Sequence, residues 1–398
     1  MTTPVDPGLL VQLQKYGVKD AAVCFNCGNC TAVCSLSTAD IPFPRKVIRY
    51  LQIGAVDKLA KSPEPWLCYY CGDCSETCPR DANPGEVMMG LRRYLTAGYD
   101  WTGISKLFYT SKAFEFGAIF FLAFLVGLGF YLFHGPMLTD RVALNVFASN
   151  HVIEVLDLLM LVVLSFFLLS NARRMATAIL GDPGQYIREG SGDASEAEGE
   201  KETQASPPQK VKRWNGIPVS IYLSELKELL VNFFTQKKFK DCNTDTQRTQ
   251  WIVHLLIMSG YSTIFILVVV FLRWFQRDEI LPLWNPVRLL GYYGTFAILY
   301  GTTYAIIGRI KRSKTVYKFS HSTDWVFLTL LWLTTFTGIL IHFTRLLAMP
   351  LTTYYLYVLH MMIVVPMLVL EVPFAKWSHL LYRPLALFLI RVKARALA

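Results

Sequence analysis

Charged residues are scarce in this chain. Asp, Glu, Lys and Arg make up 17% of its 398 residues, against about 25% in soluble globular proteins. With 53% hydrophobic residues and a mean hydropathy of +0.35, that scarcity argues for a membrane protein. No G-x-G-x-x-G follows a strand-like run, so no nucleotide- or flavin-binding domain is expected. The soluble part is also too short for a molybdenum-type catalytic domain. The opening MTTPVDPGLLVQLQKYG lacks a basic start and an apolar stretch; no secretory signal is expected, and the N-terminal cysteines should stay in a reducing compartment. Cysteine is almost missing beyond residue 78, where only Cys242 of the nine remains, and it reads as an inert thiol. The net charge is +10, but no basic patch carries interleaved aromatics, so a nucleic-acid partner is not expected. The lysines and arginines collect instead at the ends of apolar runs.

What is present is one pattern written twice. CFNCGNCTAVC at 24–34 and CYYCGDCSETC at 68–78 both read C-x2-C-x2-C-x3-C, the second followed by Pro79 and the first by Ser35. This is the run that ligates [4Fe–4S] clusters in two-cluster ferredoxins, where each fourth cysteine crosses to the other cluster. The assignment is therefore Cys24, Cys27, Cys30 and Cys78 for one cluster, and Cys68, Cys71, Cys74 and Cys34 for the other. A structural zinc site would use separated C-x2-4-C pairs and leave the third cysteine superfluous.

Beyond Lys112 six apolar segments of bilayer-spanning length follow, at about 113–133, 150–170, 251–274, 287–308, 325–346 and 352–372. Basic residues crowd the second-to-third and fourth-to-fifth connections and the segment after the sixth span. By the positive-inside rule the N-terminal domain and both termini are cytoplasmic, in a multi-pass protein of the inner (cytoplasmic) membrane. The expected fold is all-α: a helical two-[4Fe–4S] ferredoxin-like domain, then a six-span bundle of cytochrome b type. The expected division is 1–105 iron–sulfur domain, 106–180 first two spans, 181–210 disordered linker poor in large apolar residues, 211–249 basic amphipathic helix, and 250–398 four-span domain. The amphipathic helix could lie on the membrane surface or dock on the soluble domain.

Ionisable groups inside spans are functional candidates, and neutral imidazole suits haem iron. His254, one turn into the third span, and His379, just after the sixth, sit at similar depth on different helices, as a bis-histidine haem b requires. His360 lies higher in the sixth span. If that helix is continuous it stands roughly 28 Å from His379 and would serve a second haem. His134 and His321 lie in or beside turns and read as helix-end histidines. His151, Glu154 and Asp157 enter the second span from the outer side and are candidates for a quinone or proton site.

From about Gln247 to Pro384, GRIKRSK, HSTDWVFLTLLWLTTFTGIL and HMMIVVPMLVLEVPFAKWSH resemble the last helices of the cytochrome b (gamma) subunit of respiratory nitrate reductases. That resemblance implies His254 and His379 on the cytoplasmic-side haem, and His360 on an outer haem. The family's second outer ligand falls at Ile264 here, leaving His151 or His342 as substitutes if that haem exists. The two halves together resemble a fusion of the C and E subunits of heterodisulfide reductases, an arrangement similar to the C subunits of quinone-interacting membrane-bound oxidoreductase complexes of sulfate reducers. The resemblance implies electron exchange with menaquinone, heterodisulfide-reductase-A-like flavoprotein partners, and a route toward adenylylsulfate reductase. The competing readings are a redox-inactive membrane anchor and a cytochrome subunit of another heterodisulfide-reductase-like complex.

Overall fold

A computed structural model of the chain describes residues 5–39, 41–181, 213–240 and 245–397. Cys242, and the predicted linker beyond Gly181, lie outside the described residues. The N-terminal part is a set of short helices around one core. Leu9 and Leu13 of α1 (Leu9–Gln14) and Val47, Ile48 and Leu51 of α2 (Arg45–Gln52) recur at helical spacing and are buried with Met88 and Leu91 of α3 (Pro84–Tyr99). Each such side chain contributes about 1.5–3 kcal/mol on burial. Pro84 opens α3, where its missing N–H costs nothing. A short helix, α4 (Ile104–Thr110), then leads into the bundle.

The bundle helices are α5 (Lys112–Phe133), α6 (Asn150–Leu180), α8 (Asp245–Val269), α9 (Pro286–Lys311), α10 (Ser322–Leu346) and α11 (Pro350–Phe374). Their starts are chemically marked. Ser111 Oγ accepts from the Phe114 amide, Asn285 Oδ1 from the Val287 amide, and the His321 ring forms a reciprocal cap with Asp324. Five of the six are long and apolar enough to cross a bilayer. The exception, α9, fills the predicted fourth place, but its tyrosines, glycines and threonines lower its apolarity. Those small residues serve packing: a Cβ on Gly301 would lie 2.4 Å from Ile257, and one on Gly294 2.7 Å from Ile264, so α8 and α9 approach closely. Neighbours run α5–α11–α10–α9–α8, with α6 against α11. Phe120, Phe121 and Phe124 of α5 are 70%, 61% and 61% exposed, an apolar surface suited to lipid.

Three features depart from expectation. Residues 213–218 are not helical: β1 (Arg213–Trp214) and β2 (Ile217–Pro218) pair antiparallel before α7 (Val219–Thr235), because Asn215 and Gly216 take positive φ and turn the chain back. The helix α7 docks on the last helix, α12 (His379–Leu397), through Glu225 with Arg395 at 2.9 Å and Glu228 with Arg391 at 3.4 Å. The sixth apolar helix is also not continuous with His379. It ends at Phe374, just after Pro373, and a 3-10 turn over Lys376–Ser378 precedes α12, so the 28 Å estimate from an unbroken helix does not apply.

Candidate functional site

The two cysteine loops share a backbone. Asn26 and Tyr70 both take φ 55, and Gly28 and Gly72 take φ 92 and 103, a region glycine enters without steric cost. The amide of Asn26 donates to Cys24 Sγ at 3.4 Å, and that of Tyr70 to Cys68 Sγ at 3.3 Å. One-turn helices at Asn29–Ala32 and Asp73–Glu76 pack together, and Asn29 Nδ2 ties them by donating to the Thr77 carbonyl at 2.6 Å. Electrostatic neighbours among the thiols cross between the runs, and Cys74 is reached from both sides, by Cys68, Cys71 and Cys34 and also by Cys30. Cys30 is raised by burial and then by Cys24, Cys27 and Cys78. Cys34, pushed up to about 11 by burial, lies within electrostatic reach of Cys68 and Cys71, and both of these also act on Cys74. A bound metal must displace those protons. Among the described residues no three Cys, His, Asp or Glu side chains close around a single ion.

Below the second loop lies a cavity of about 290 Å³ lined by Tyr69, Tyr70, His254, Arg309, Asp324 and His379, among others. The His254 and His379 rings meet edge to face at it, with centroids 5.9 Å apart and planes at 73°. His379 Nδ1 contacts the Lys376 carbonyl, which leaves Nε2 with its lone pair. His254 Nδ1 is shielded and has no hydrogen-bond partner. The arrangement can hold a metal between two neutral imidazoles, with Arg309, Lys376 and Arg383 supplying positive charge at the rim.

The sequence carries matching relatives over its first part only. Residues 23–83 match the 4Fe-4S dicluster domain family. The N-terminal part is a 4Fe–4S dicluster domain homologous to the C subunit of heterodisulfide reductases. Over 88 residues, 22% of this chain and 47% of the relative, it is 34% identical to a heterodisulfide reductase C-subunit-like protein of Archaeoglobus profundus. It is 35% identical over 75 residues to the iron-sulfur C subunit of the CoB--CoM heterodisulfide reductase of Methanopyrus kandleri, covering 19% of this chain and 39% of that one. Against the second iron-sulfur C subunit of the CoB--CoM heterodisulfide reductase of Methanocaldococcus jannaschii it is 36% identical over 88 residues, 22% of this chain and 46% of that one. The chain thus spans less than half the length of these relatives. No solved structure matches it.

The dicluster domain presents its second run to the bundle. The Cys68 carbonyl accepts from Arg383 at 3.1 Å and also from Arg92. Arg383 lies 3.6 Å over the Tyr69 ring, and Thr315 donates to Glu76 at 2.5 Å. A line of buried polar groups continues the junction. Tyr70 donates to Glu86 at 2.8 Å, Arg93 bridges Glu86 at 3.2 Å and Asp324 at 3.0 Å, and Lys376 closes on Asp324. Sequence reading missed this line; charges embedded at the edges of apolar runs were its only signal.

At the other end of the bundle a second cavity, about 480 Å³, is lined by Asp157, Ile264, Tyr292, His342 and His360, among others. His360 Nδ1 contacts Thr337 Oγ1 at 2.9 Å, and His342 Nε2 contacts the Tyr292 hydroxyl at 2.8 Å. Of the two second-span acids, Asp157 lines this space, as does Glu279 from the connection before the fourth span. Glu154 pairs with Arg273 at 2.8 Å, and His151 is exposed.

Proposed function

We propose that the chain is a membrane electron-transfer subunit that links a quinone pool to a cytoplasmic partner through two [4Fe–4S] clusters and haem b. What carries this reading is the placement of the second cysteine loop directly over the cavity where His254 and His379 meet edge to face, with Arg383 touching both the Cys68 carbonyl and the Tyr69 ring. In it, Cys24, Cys27, Cys30 and Cys78 hold one cluster and Cys68, Cys71, Cys74 and Cys34 the other; the reach of Cys78 to Cys30 and of Cys34 to Cys68 and Cys71 supports that crossing of the fourth cysteines.

The residues of the inner cavity fit a bis-imidazole haem. Two metal–nitrogen bonds of about 2 Å plus two ring radii span roughly 6 Å, against the observed 5.9 Å. The Lys376 carbonyl fixes the His379 tautomer, as outer partners of ligating histidines do. Arg309 and Arg383, which line the cavity, would supply positive charge to the acidic side groups of such a macrocycle. When bound, such a group supplies one-electron chemistry between the clusters and the bilayer.

In this reading the helices, α9 included, make six spans, with both termini and the dicluster domain cytoplasmic. The outer cavity, with His360, His342 and Asp157, takes menaquinone, a second haem on His360, or both in succession. Partners are heterodisulfide-reductase-A-like flavoproteins docked on the dicluster domain, with electrons exchanged toward adenylylsulfate reductase. The test is haem content by pyridine haemochrome on purified full-length protein, with cluster content by EPR. Wild type should carry haem, and His254→Ala should lose one per chain while keeping both clusters. A wild-type protein with clusters and no haem sinks the reading and leaves a membrane anchor.

A further inference from the structure

Two carboxyl groups at the inner ends of α5 and α11 have no part in the electron route. Glu115 is 0% exposed and Glu371 1%. Neither Glu115 oxygen has a hydrogen-bond partner, and Glu371 Oε1 has none. The Ser322 hydroxyl is near enough to Glu115 to favour its charge, but stands outside hydrogen-bonding geometry. Glu371 Oε2 accepts only from the Lys376 amide, at 3.0 Å.

The groups that face this pair are few. Glu115 meets Ser322, Lys112 and Asp324; Glu371 meets Lys376, Glu115, Asp324 and the Tyr109 hydroxyl. The cations are already engaged. Asp324 takes Lys376 and Arg93, and Arg309 also acts on it; Arg93 shares itself with Glu86. Four acids (Glu86, Asp324, Glu115, Glu371) thus face one buried cation, Arg93, and two half-buried ones, Arg309 and Lys376, while Lys112 is exposed. A buried carboxylate with no donor is strongly disfavoured, and one proton held by the pair at rest relieves that cost while leaving the second carboxylate, Glu371 with its Lys376 amide donor, to accept another. Two acids within reach of each other titrate as a pair.

The pair is wired to the redox centre. Lys376 gives its amide to Glu371 and its carbonyl to His379 Nδ1, while its ammonium closes on Asp324. From Asp324 the line runs through Arg93 and Glu86 to Tyr70, between two cysteines of the second run. Charge added at either end is felt at the pair.

We propose that Glu115 and Glu371 form a proton-binding site that takes up a proton from the cytoplasmic side when an electron enters the His254/His379 centre, and returns it when the electron leaves. The inference rests on the haem reading. The balance is one electron to the metal, supplied by quinol or a reduced cluster, and one proton from water to a carboxylate oxygen, so no net charge is added to the junction.

The experiment uses the full chain in detergent and reads haem content, haem midpoint potential against pH, and redox-difference infrared spectra. In wild type the reduction equilibrium should change up to tenfold per pH unit, about 59 mV for one electron. A protonated-carboxyl band should appear on reduction and shift in D2O. Glu115→Gln and Glu371→Gln should each remove the band and flatten the slope with haem content unchanged, whereas Asp157→Asn should keep both. A pH-independent potential with no such band in haem-replete wild type overturns the site alone and needs no variant to fold. Absence of haem from wild type overturns the underlying reading, and the site with it.

Discussion

The two cysteine runs share spacing, loop backbone and N–H···S contacts, yet their surroundings are opposite. The first faces out: Cys27 is exposed and Phe25 is 71% exposed, with Arg80 stacked 4.2 Å over its ring. The second is clamped: Tyr69 lies between Arg383 and Phe239, and the Cys68 carbonyl takes two arginines. A repeated motif therefore specifies a cofactor cradle twice, while the residues between the cysteines specify its neighbour. Phe-Asn leaves one loop free to meet a partner; Tyr-Tyr binds the other to the bundle.

The largest test of that asymmetry is at Asp324. Replacing it by Ala leaves Lys376 without its carboxylate and Arg93 with Glu86 alone, and should cost about 3 kcal/mol. Arg80→Ala, beside the first run, should cost under about 1 kcal/mol. Thermal unfolding of the two variants side by side decides it, and equal losses would mean that the runs are not differently held.

Acid should open the same junction. Burial, then the Arg93 cation, hold His321 down at about 4, below the ordinary value of about 6.5. The folded state therefore favours the neutral ring. Its contribution is full above pH about 6.5 and is lost as pH falls toward 4, by about 3 kcal/mol. His321→Asn, which keeps a capping acceptor, should remove that part of the pH dependence and leave stability at pH 7 nearly unchanged.

Arg383→Gln should cost about 1.5 kcal/mol through the lost carbonyl contact and ring stacking. It should also slow electron transfer between the second cluster and haem in flash-reduction kinetics. The smallest structural effect is expected at Phe25→Ala, within about 0.5 kcal/mol for an exposed side chain, although electron exchange with a soluble partner should weaken. If Phe25→Ala destabilised the domain more than Arg383→Gln, the outward reading of the first run would fail.

The local features were legible in the sequence because their causes are local. Cysteine spacing, the apolar spans and the helix-end reading of His321 each depend on a few adjacent residues. The depth argument brought His254 and His379 to one level, and the structure sets their ring centroids 5.9 Å apart. What stayed hidden joins distant residues: Arg93 and Asp324 are 231 positions apart. Glu115 and Glu371 each sit at one end of a run that reads as lipid-facing, and only the fold shows them enclosed. Glu154 looked like its neighbour Asp157, but it turns to Arg273 from a different span.

The edge-to-face contact between Trp66 and Tyr382, at 5.2 Å, has a consequence for biosynthesis. The wall behind the second cysteine loop is supplied by a helix made roughly 300 residues later, some 15–60 s at ribosomal speed. During that interval Trp66 and the Cys68 loop lack their cover and are open to cluster-delivery machinery. Only once α12 has been made can Tyr382 pack on Trp66 and Arg383 reach the Cys68 carbonyl, so the second loop gains its wall last.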